Sequence, residues 1–175
     1  MNWQVSIILM DSFLLDTNII VDAFSAGILE CLNYKSFFVS YVVLKEEIIK
    51  QVPVGYYTYL NTLNEKADEL LAAQKYSDLN KSISFYDALN CVLAKEREMT
   101  LVTGDQQLIK FANKNGVNCI GTIRLIELLI DKELLNADKS IDALEKLKQD
   151  PKRRIPHKLI DLAIEKIKIS YVLVK

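Results

Sequence analysis

Four carboxylates stand at positions from which they could act on one substrate. Asp16 closes the apolar run Phe13-Leu14-Leu15, and Asp105 closes Leu101-Val102-Thr103-Gly104. Both runs have the length and composition of a buried strand. In an open parallel sheet, ligands bind beyond the carboxyl ends of the strands, so Asp16 and Asp105 are expected at one sheet edge. Asp87 falls in the first turn of a helix opened by Ser84. Glu46 falls about two turns into a helix capped by Ser40. Four carboxylates gathered at one edge repel one another unless a cation sits among them. Oxygen ligands suit Mg²⁺ or Mn²⁺ better than zinc or copper. Such a cation, with coordination positions left open, polarises a phosphate and activates a water. Phosphodiester hydrolysis is therefore the natural reaction class for Asp16, Glu46, Asp87 and Asp105 acting together.

Each acid also has an ordinary structural role open to it. Asp16 and Asp105 could each cap the helix that follows. Ser84-Phe-Tyr-Asp87 has the spacing of a capping box. Glu46 lies in the charged run Lys45-Glu46-Glu47, where a solvated face is the usual reason for charge. Taken singly, Asp87, Asp105 and Glu46 are better explained by structure; taken together, their common placement favours a site. Glu47 competes with Glu46, because both follow the apolar Tyr-Val-Val-Leu.

The elements that must position these acids alternate. Strand candidates at Phe13–Leu15, Phe37–Val39, Leu101–Thr103 and Val117–Ile120 are separated by helical patterns. A helix runs from Asn18 to about Leu32 and is interrupted near Gly27. A second runs from Tyr41 to Val52. A third covers roughly 57–74, a fourth begins after Ser84, and a fifth ends at Gly116, a C′ glycine. The order β-α-β-α-α-β-α-β implies an α/β fold of three layers, a parallel sheet covered by helices on both faces. After Thr122 the pattern is helical, with three apolar stripes joined by the basic turn Asp-Pro-Lys-Arg-Arg-Ile-Pro-His-Lys. Residues 1–122 are expected to form the α/β unit, and 123–175 a helical extension packed on the same domain.

The chain has 175 residues, half of them apolar and 26% charged, with a net charge of −1. That composition excludes a disordered chain. A protein that coats nucleic acid by charge alone would be basic, so contact with nucleic acid must rest on local patches or on metal ions. Cys31, Cys91 and Cys119 are widely spaced and odd in number, which argues against a disulfide framework or a zinc site and for a reducing cytoplasm. The N-terminal stretch before Asp16 has short, acid-broken apolar runs and reads as neither a signal peptide nor a membrane span. Lys45, Lys50, Lys110 and Lys114 flank the acids in sequence, and Lys152, Arg153, Arg154, His157 and Lys158 form the densest basic cluster. An interhelical turn explains that cluster somewhat better than an RNA-backbone patch. Tyr56, Tyr57 and Tyr59 read as packing or interface residues.

The run of motifs Phe-Leu-Leu-Asp16-Thr-Asn18, Ser-Tyr-Val-Val-Leu-Lys-Glu46-Glu, Ser-Phe-Tyr-Asp87-Ala-Leu and Leu-Val-Thr103-Gly-Asp105 resembles the PIN-domain family over residues 12–122 or so, most closely the VapC-type toxins. Their order and spacing carry the resemblance. It implies a metal-dependent endoribonuclease using Mg²⁺ or Mn²⁺, with Asp16, Glu46, Asp87 and Asp105 as the acidic quartet and Asn18 and Thr103 as supporting polar residues. It implies RNA as substrate, left with 5′-phosphate and 3′-hydroxyl ends, and for a toxin a small antitoxin partner. The apolar helices and tyrosines would also support a homodimer, and no membrane association is expected. A catalytically weak module that binds RNA or protein is the alternative. A phosphatase of the haloacid type would want a second Asp where Asn18 stands, and a receiver domain would want an acidic pair that is absent here.

Overall fold

The computed structural model describes residues 12–153 and 155–172. Residues 1–11 of the N-terminal stretch read above as neither leader nor span lie outside the described residues, as does Arg154 of the basic cluster. Among the described residues no helix is long and apolar enough to cross a membrane.

The described chain is a three-layer α/β/α sandwich. Its parallel sheet contains β1 (Phe13–Leu15), β2 (Phe37–Ser40), β3 (Asn61–Leu63), β4 (Thr100–Val102) and β5 (Cys119–Ile120), in the order β3-β2-β1-β4-β5. β1 is central and buried along its whole length. Phe-Leu-Leu suits that position, because a parallel strand covered on both faces needs apolar side chains on both. β1 pairs with β4 through Phe13–Thr100, Leu14–Leu101 and Leu15–Val102. That register carries the next residues, Asp16 and Thr103, out of the sheet side by side.

The connections explain why a site belongs there. α1 (Thr17–Ala26) leads from β1 to β2 on one side. α3 (Ala67–Leu79) and α4 (Phe85–Glu96) carry the chain back across to β4, and α5 (Gln106–Lys114) leads on to β5. Right-handed crossovers then put α1 on one face and α3 to α5 on the other. The chain therefore leaves β1 and β4 in opposite directions, and a crevice opens between their carboxyl ends.

The short α2 (Tyr41–Glu46) is capped by Ser40, whose hydroxyl accepts from the Val43 N–H at 3.0 Å. After β5 come α6 (Thr122–Asp131), α7 (Ala137–Gln149) and α8 (His157–Ile167). α7 packs on α1, and α8 packs on α7. Leu144, Leu147, Ile160, Ile164 and Ile167 from these helices join the same buried cluster as Phe13, Leu14 and Leu101.

Two expectations are corrected. The helix expected over 57–74 is instead a short helical turn, Tyr56–Tyr59, then β3, then α3. β3 pairs with β2 alone, and of its Asn-Thr-Leu only the leucine is apolar. An edge strand so short and polar leaves little hydrophobic pattern to read. The helix expected to continue from Tyr41 to Val52 ends at Glu46. Glu47 leaves the helical region at φ −123°, ψ −53°, and a separate turn, Ile48–Lys50, follows.

α3 and α4 are locked together by one buried acid. Glu69 is 5% exposed. Arg97 grips it with two bonds, Nε to Oε1 at 2.9 Å and Nη2 to Oε2 at 2.8 Å, and also donates to the Asn64 carbonyl. The arginine holds the Glu69 carboxyl below its usual range. A lowered value in the fold means stabilisation that is present above the ordinary 4.5 and lost as the pH falls. Arg97→Met should cost about 3 kcal/mol at neutral pH, because it strands the acid. Urea unfolding at pH 7 and pH 4 should show the cost shrinking on the acid side.

Candidate active site

Asp16 is the anchor of the crevice. It ends β1 and caps α1, with its own N–H bonded to the Val102 carbonyl at 3.0 Å. Only 5% of the residue is exposed. Four donors converge on its carboxylate. Oδ1 accepts from the Thr17 N–H at 2.8 Å and from Asn90 Nδ2 at 3.2 Å. Oδ2 accepts from Thr103 Oγ1 at 2.7 Å and from Asn18 Nδ2 at 2.6 Å. Burial pushes the Asp16 carboxyl up to about 7, against the pull of the Thr103 bond, and the nearby charges of Asp87 and Glu47 push the same way.

Thr103 and Asn18 are wired into this anchor. Thr103 is fully buried, and besides donating to Asp16 its hydroxyl accepts from the Asp105 N–H at 3.1 Å. Asn18 donates to both Asp16 and Thr103, while its Oδ1 accepts from the Gly104 N–H at 3.1 Å. The turn after β4 is thus fastened to the start of α1, and this fixes Asp105 relative to Asp16.

Asp87 and Asp105 line one hollow of about 220 Å³ together with Asp16, Thr17, Asn18, Val21, Glu47, Gln51 and Arg153. Each also performs the capping role open to it. Asp87 Oδ2 accepts from the Ser84 N–H at 3.1 Å and from the Ser84 hydroxyl at 2.8 Å. Asp105 Oδ1 accepts from the N–H groups of Gln107 and Leu108 at 2.6 and 3.0 Å. In both residues the capping bonds fall on one oxygen, so capping and a second duty at the other oxygen are compatible.

Glu46 does not reach this hollow, and here the preference stated above is corrected. It ends α2 exposed and forms an ion pair with Lys50 at 3.7 Å. Glu47 takes the place instead, its Oε2 accepting from Thr17 Oγ1 at 2.7 Å. The cause is the break after Glu46. It lets Ile48 bury completely and swings the preceding side chain inward. Lys45, Lys50, Lys110 and Lys114 are all exposed, and none of them lines the hollow. Arg153 does line it, from the turn between α7 and α8.

Asn90, Thr17 and Gln51 were not singled out by sequence reasoning, and Arg153 was read only as one member of the basic cluster, for which an interhelical turn was the somewhat better explanation. Asn90 had a signal: an uncharged polar residue within the apolar run Ala-Leu-Asn-Cys-Val-Leu, three positions after Asp87 and so on its side of the helix. It is fully buried, and its Oδ1 has no hydrogen-bond partner among the described residues. The thiols take no part. Burial raises Cys91 and Cys119 to about 11.

The donor set fits a hard divalent cation in kind. It is all oxygen, and it centres on a buried carboxylate whose ionisation is opposed by burial and by like charges. Among the described residues, however, no three Asp, Glu, His or Cys side chains converge into a ready-made cation cage. Asp16 is held on both oxygens by Thr and Asn donors and a backbone N–H, while the caps at Asp87 and Asp105 occupy one oxygen of each.

A larger hollow of about 530 Å³, lined by Ile109, Ile123, Leu159 and Leu162 among others, contains none of these acids. The acids line the smaller, polar one. A parallel α/β/α sandwich with an acidic crevice at its switch point defines a class, the α/β proteins that bind and transform ligands at strand ends. Residues 12–169 match the family described as a PIN domain. The match takes in every strand and every helix from α1 to α8, and the chain belongs to the PIN-domain family. Comparison with curated proteins finds no match. PIN domains are nuclease folds, which generally use divalent metal ions.

Because the Asp16 carboxyl is raised in the fold, the native protein takes up a proton that the unfolded chain releases, between about pH 4 and 7. This group therefore makes the fold less stable as the pH rises through that window. In EDTA, the ¹³C carboxyl resonance of Asp16 should titrate with a midpoint near 7. Saturating Mg²⁺ should lower that midpoint by more than one unit, since a bound cation favours the ionised form. A midpoint unmoved by Mg²⁺ would remove Asp16 from any metal site.

Proposed function

We propose that this PIN domain is a Mg²⁺- or Mn²⁺-dependent endoribonuclease that hydrolyses phosphodiester bonds in single-stranded or loop RNA. The observation that carries the reading is the buried Asp16 carboxylate at the end of β1. It is held by four donors and faces the hollow that Asp87, Asp105 and Glu47 also line.

Asp16, Asp87 and Asp105 would hold the ion. When bound, it neutralises the acids, offsets charge on the leaving 3′ oxygen and makes a water easier to deprotonate. The chain's own groups do the rest. Thr103, Asn18 and Asn90 fix the orientation of Asp16, as hydrogen-bonding neighbours of metal ligands do. Glu47, steadied by the Thr17 hydroxyl, accepts the proton of the water that attacks phosphorus. Attack on phosphorus with departure of the 3′ oxygen leaves a 5′-phosphate and a 3′-hydroxyl. Single strands and loops suit the hollow because their backbone can enter it.

Asp16→Asn should lower cleavage of a fluorogenic single-stranded RNA by about a hundredfold or more, the scale of losing an electrostatic contact at the reacting centre. Glu47→Gln should lower kcat by about 100-fold, in the range of a lost general base, while Glu46→Gln stays within about twofold of the parent. Equal loss in the two glutamate variants would sink the role given to Glu47.

A second reading, a module that binds RNA or protein with weak catalysis, has one observation in its favour: the absence of a ready-made cage among the described residues. Under that reading Asp16→Asn would leave both Mn²⁺ binding and RNA cleavage unchanged. For the biological role, our proposal is the toxin of a toxin–antitoxin pair acting in the cytoplasm, supported by the resemblance of the motif run to VapC-type chains. Growth arrest on expression, relieved by the product of a neighbouring short reading frame, tests it.

A further inference from the structure

Arg153 lies 137 positions after Asp16 in sequence yet lines the same hollow. It also lines an adjoining hollow of about 230 Å³, with Asn18, Asp22, Gly104, Asp105, Thr122, Lys152 and Ile155. Asn18, Asp105 and Arg153 belong to both. The two therefore form one groove running from the acids to the α7–α8 turn. Together they reach the size of ordinary ligand sites, which begin at roughly 300 Å³.

The guanidinium is held from behind. Its Nη1 donates to Asp22 Oδ1 at 3.1 Å, and its Nε pairs with Asp150 at 3.3 Å. Asp22 is itself buried in α1 and accepts from the Thr122 hydroxyl at 2.8 Å. Three separate elements thus converge to fix one cation. A guanidinium has five N–H donors in a rigid plane; the bond to Asp22 uses Nη1, while the buried Nε lies at ion-pair distance from Asp150 with no hydrogen-bond partner among the described residues. The Arg153 side chain is 15% exposed, enough to meet a ligand without lying loose on the surface. Arginine fixed in this way loses little freedom on binding a phosphate, and its planar fork matches the phosphate oxygens. Pairing with the buried Asp22 and with Asp150 accounts for the cation on one side; a polyanionic substrate entering the acidic crevice would use the side that lines the groove.

We infer that Arg153 is a substrate-binding residue, contacting the RNA phosphate next to the one that is cleaved, with Asp22 as the residue that positions it. Lys152, exposed on the same turn and lining the outer hollow, extends the track away from the acids. This rests on the proposed ribonuclease activity, and it gives the helices after β5 a direct part in holding substrate.

The test uses the whole chain with Arg153→Met, Arg153→Lys and Asp22→Asn. With a short single-stranded RNA and Mn²⁺, Arg153→Met should raise KM about tenfold, the scale of one charged contact of about 1.4 kcal/mol, and leave kcat within about threefold. Arg153→Lys should recover part of that loss, since it keeps the charge but not the fork. Asp22→Asn should raise KM with the positioning lost. In EDTA, where no cleavage competes, binding of the same RNA should show a salt dependence shallower by about 0.7 in the slope of log K against log salt for Arg153→Met. A KM and salt slope equal to the parent's, with only the melting temperature lowered, would overturn the inference and leave Arg153 as a structural tie. So would a fall in kcat at unchanged KM. If the parent binds RNA with an Arg153-dependent slope but does not cleave it, the nuclease reading fails and the phosphate contact stands. If the parent neither binds nor cleaves RNA, both fail.

Discussion

A carboxylate buried where two strands end is the constraint around which the rest is arranged. An acid removed from water must be given hydrogen bonds or be neutralised. Asp16 receives four, from Thr17, Asn18, Asn90 and Thr103. Those donors come from the start of α1, the body of α4 and the end of β4. To serve one carboxylate, three segments distant in sequence must meet at a single point. The same bonds that make burial tolerable therefore fix the shape of the crevice. They do not remove the electrostatic cost altogether, since Asp16 stays well above an ordinary aspartate in its affinity for a proton. A centre that still favours a positive charge is what a cation-using fold requires.

The rim acids illustrate how one residue can hold two offices. Asp87 and Asp105 begin helices in the way that short acidic residues commonly do, and they also face the hollow. Capping settles their side-chain torsions before any ligand arrives. An acid so restrained gives up less freedom when it binds an ion than one on a loose surface loop. The structural and the chemical explanations of these residues, posed as rivals from sequence, turn out to be compatible.

Much of this was open to reading. The central strands announce themselves, because Phe-Leu-Leu and Leu-Val are apolar on both faces and each run ends in an acid, directly or through Thr-Gly. The helix caps at Ser40 and Ser84 are local, so local sequence encodes them. What could not be read depends on distant packing. β3 is an edge segment with one apolar residue. The inward turn of Glu47 rather than Glu46 follows from burial of Ile48, and only the packed structure shows which of two adjacent acids that favours. Arg153 sits in a turn whose charges look like ordinary solvation, and its placement beside the acids is visible only once Asp22 is seen to hold it.

The tie between Asp22 and Arg153 spans 131 positions of chain. Contacts of such long range form late, because a great length of flexible backbone must be closed before they can stabilise anything. On the ribosome the N-terminal strand and its acid are made first, and the α7–α8 turn is made long after. The crevice thus spends the period of its own synthesis with an acidic floor and no basic wall. The basic side of the groove is therefore the last part of it to exist, and its completion waits on the end of the chain rather than on the sheet.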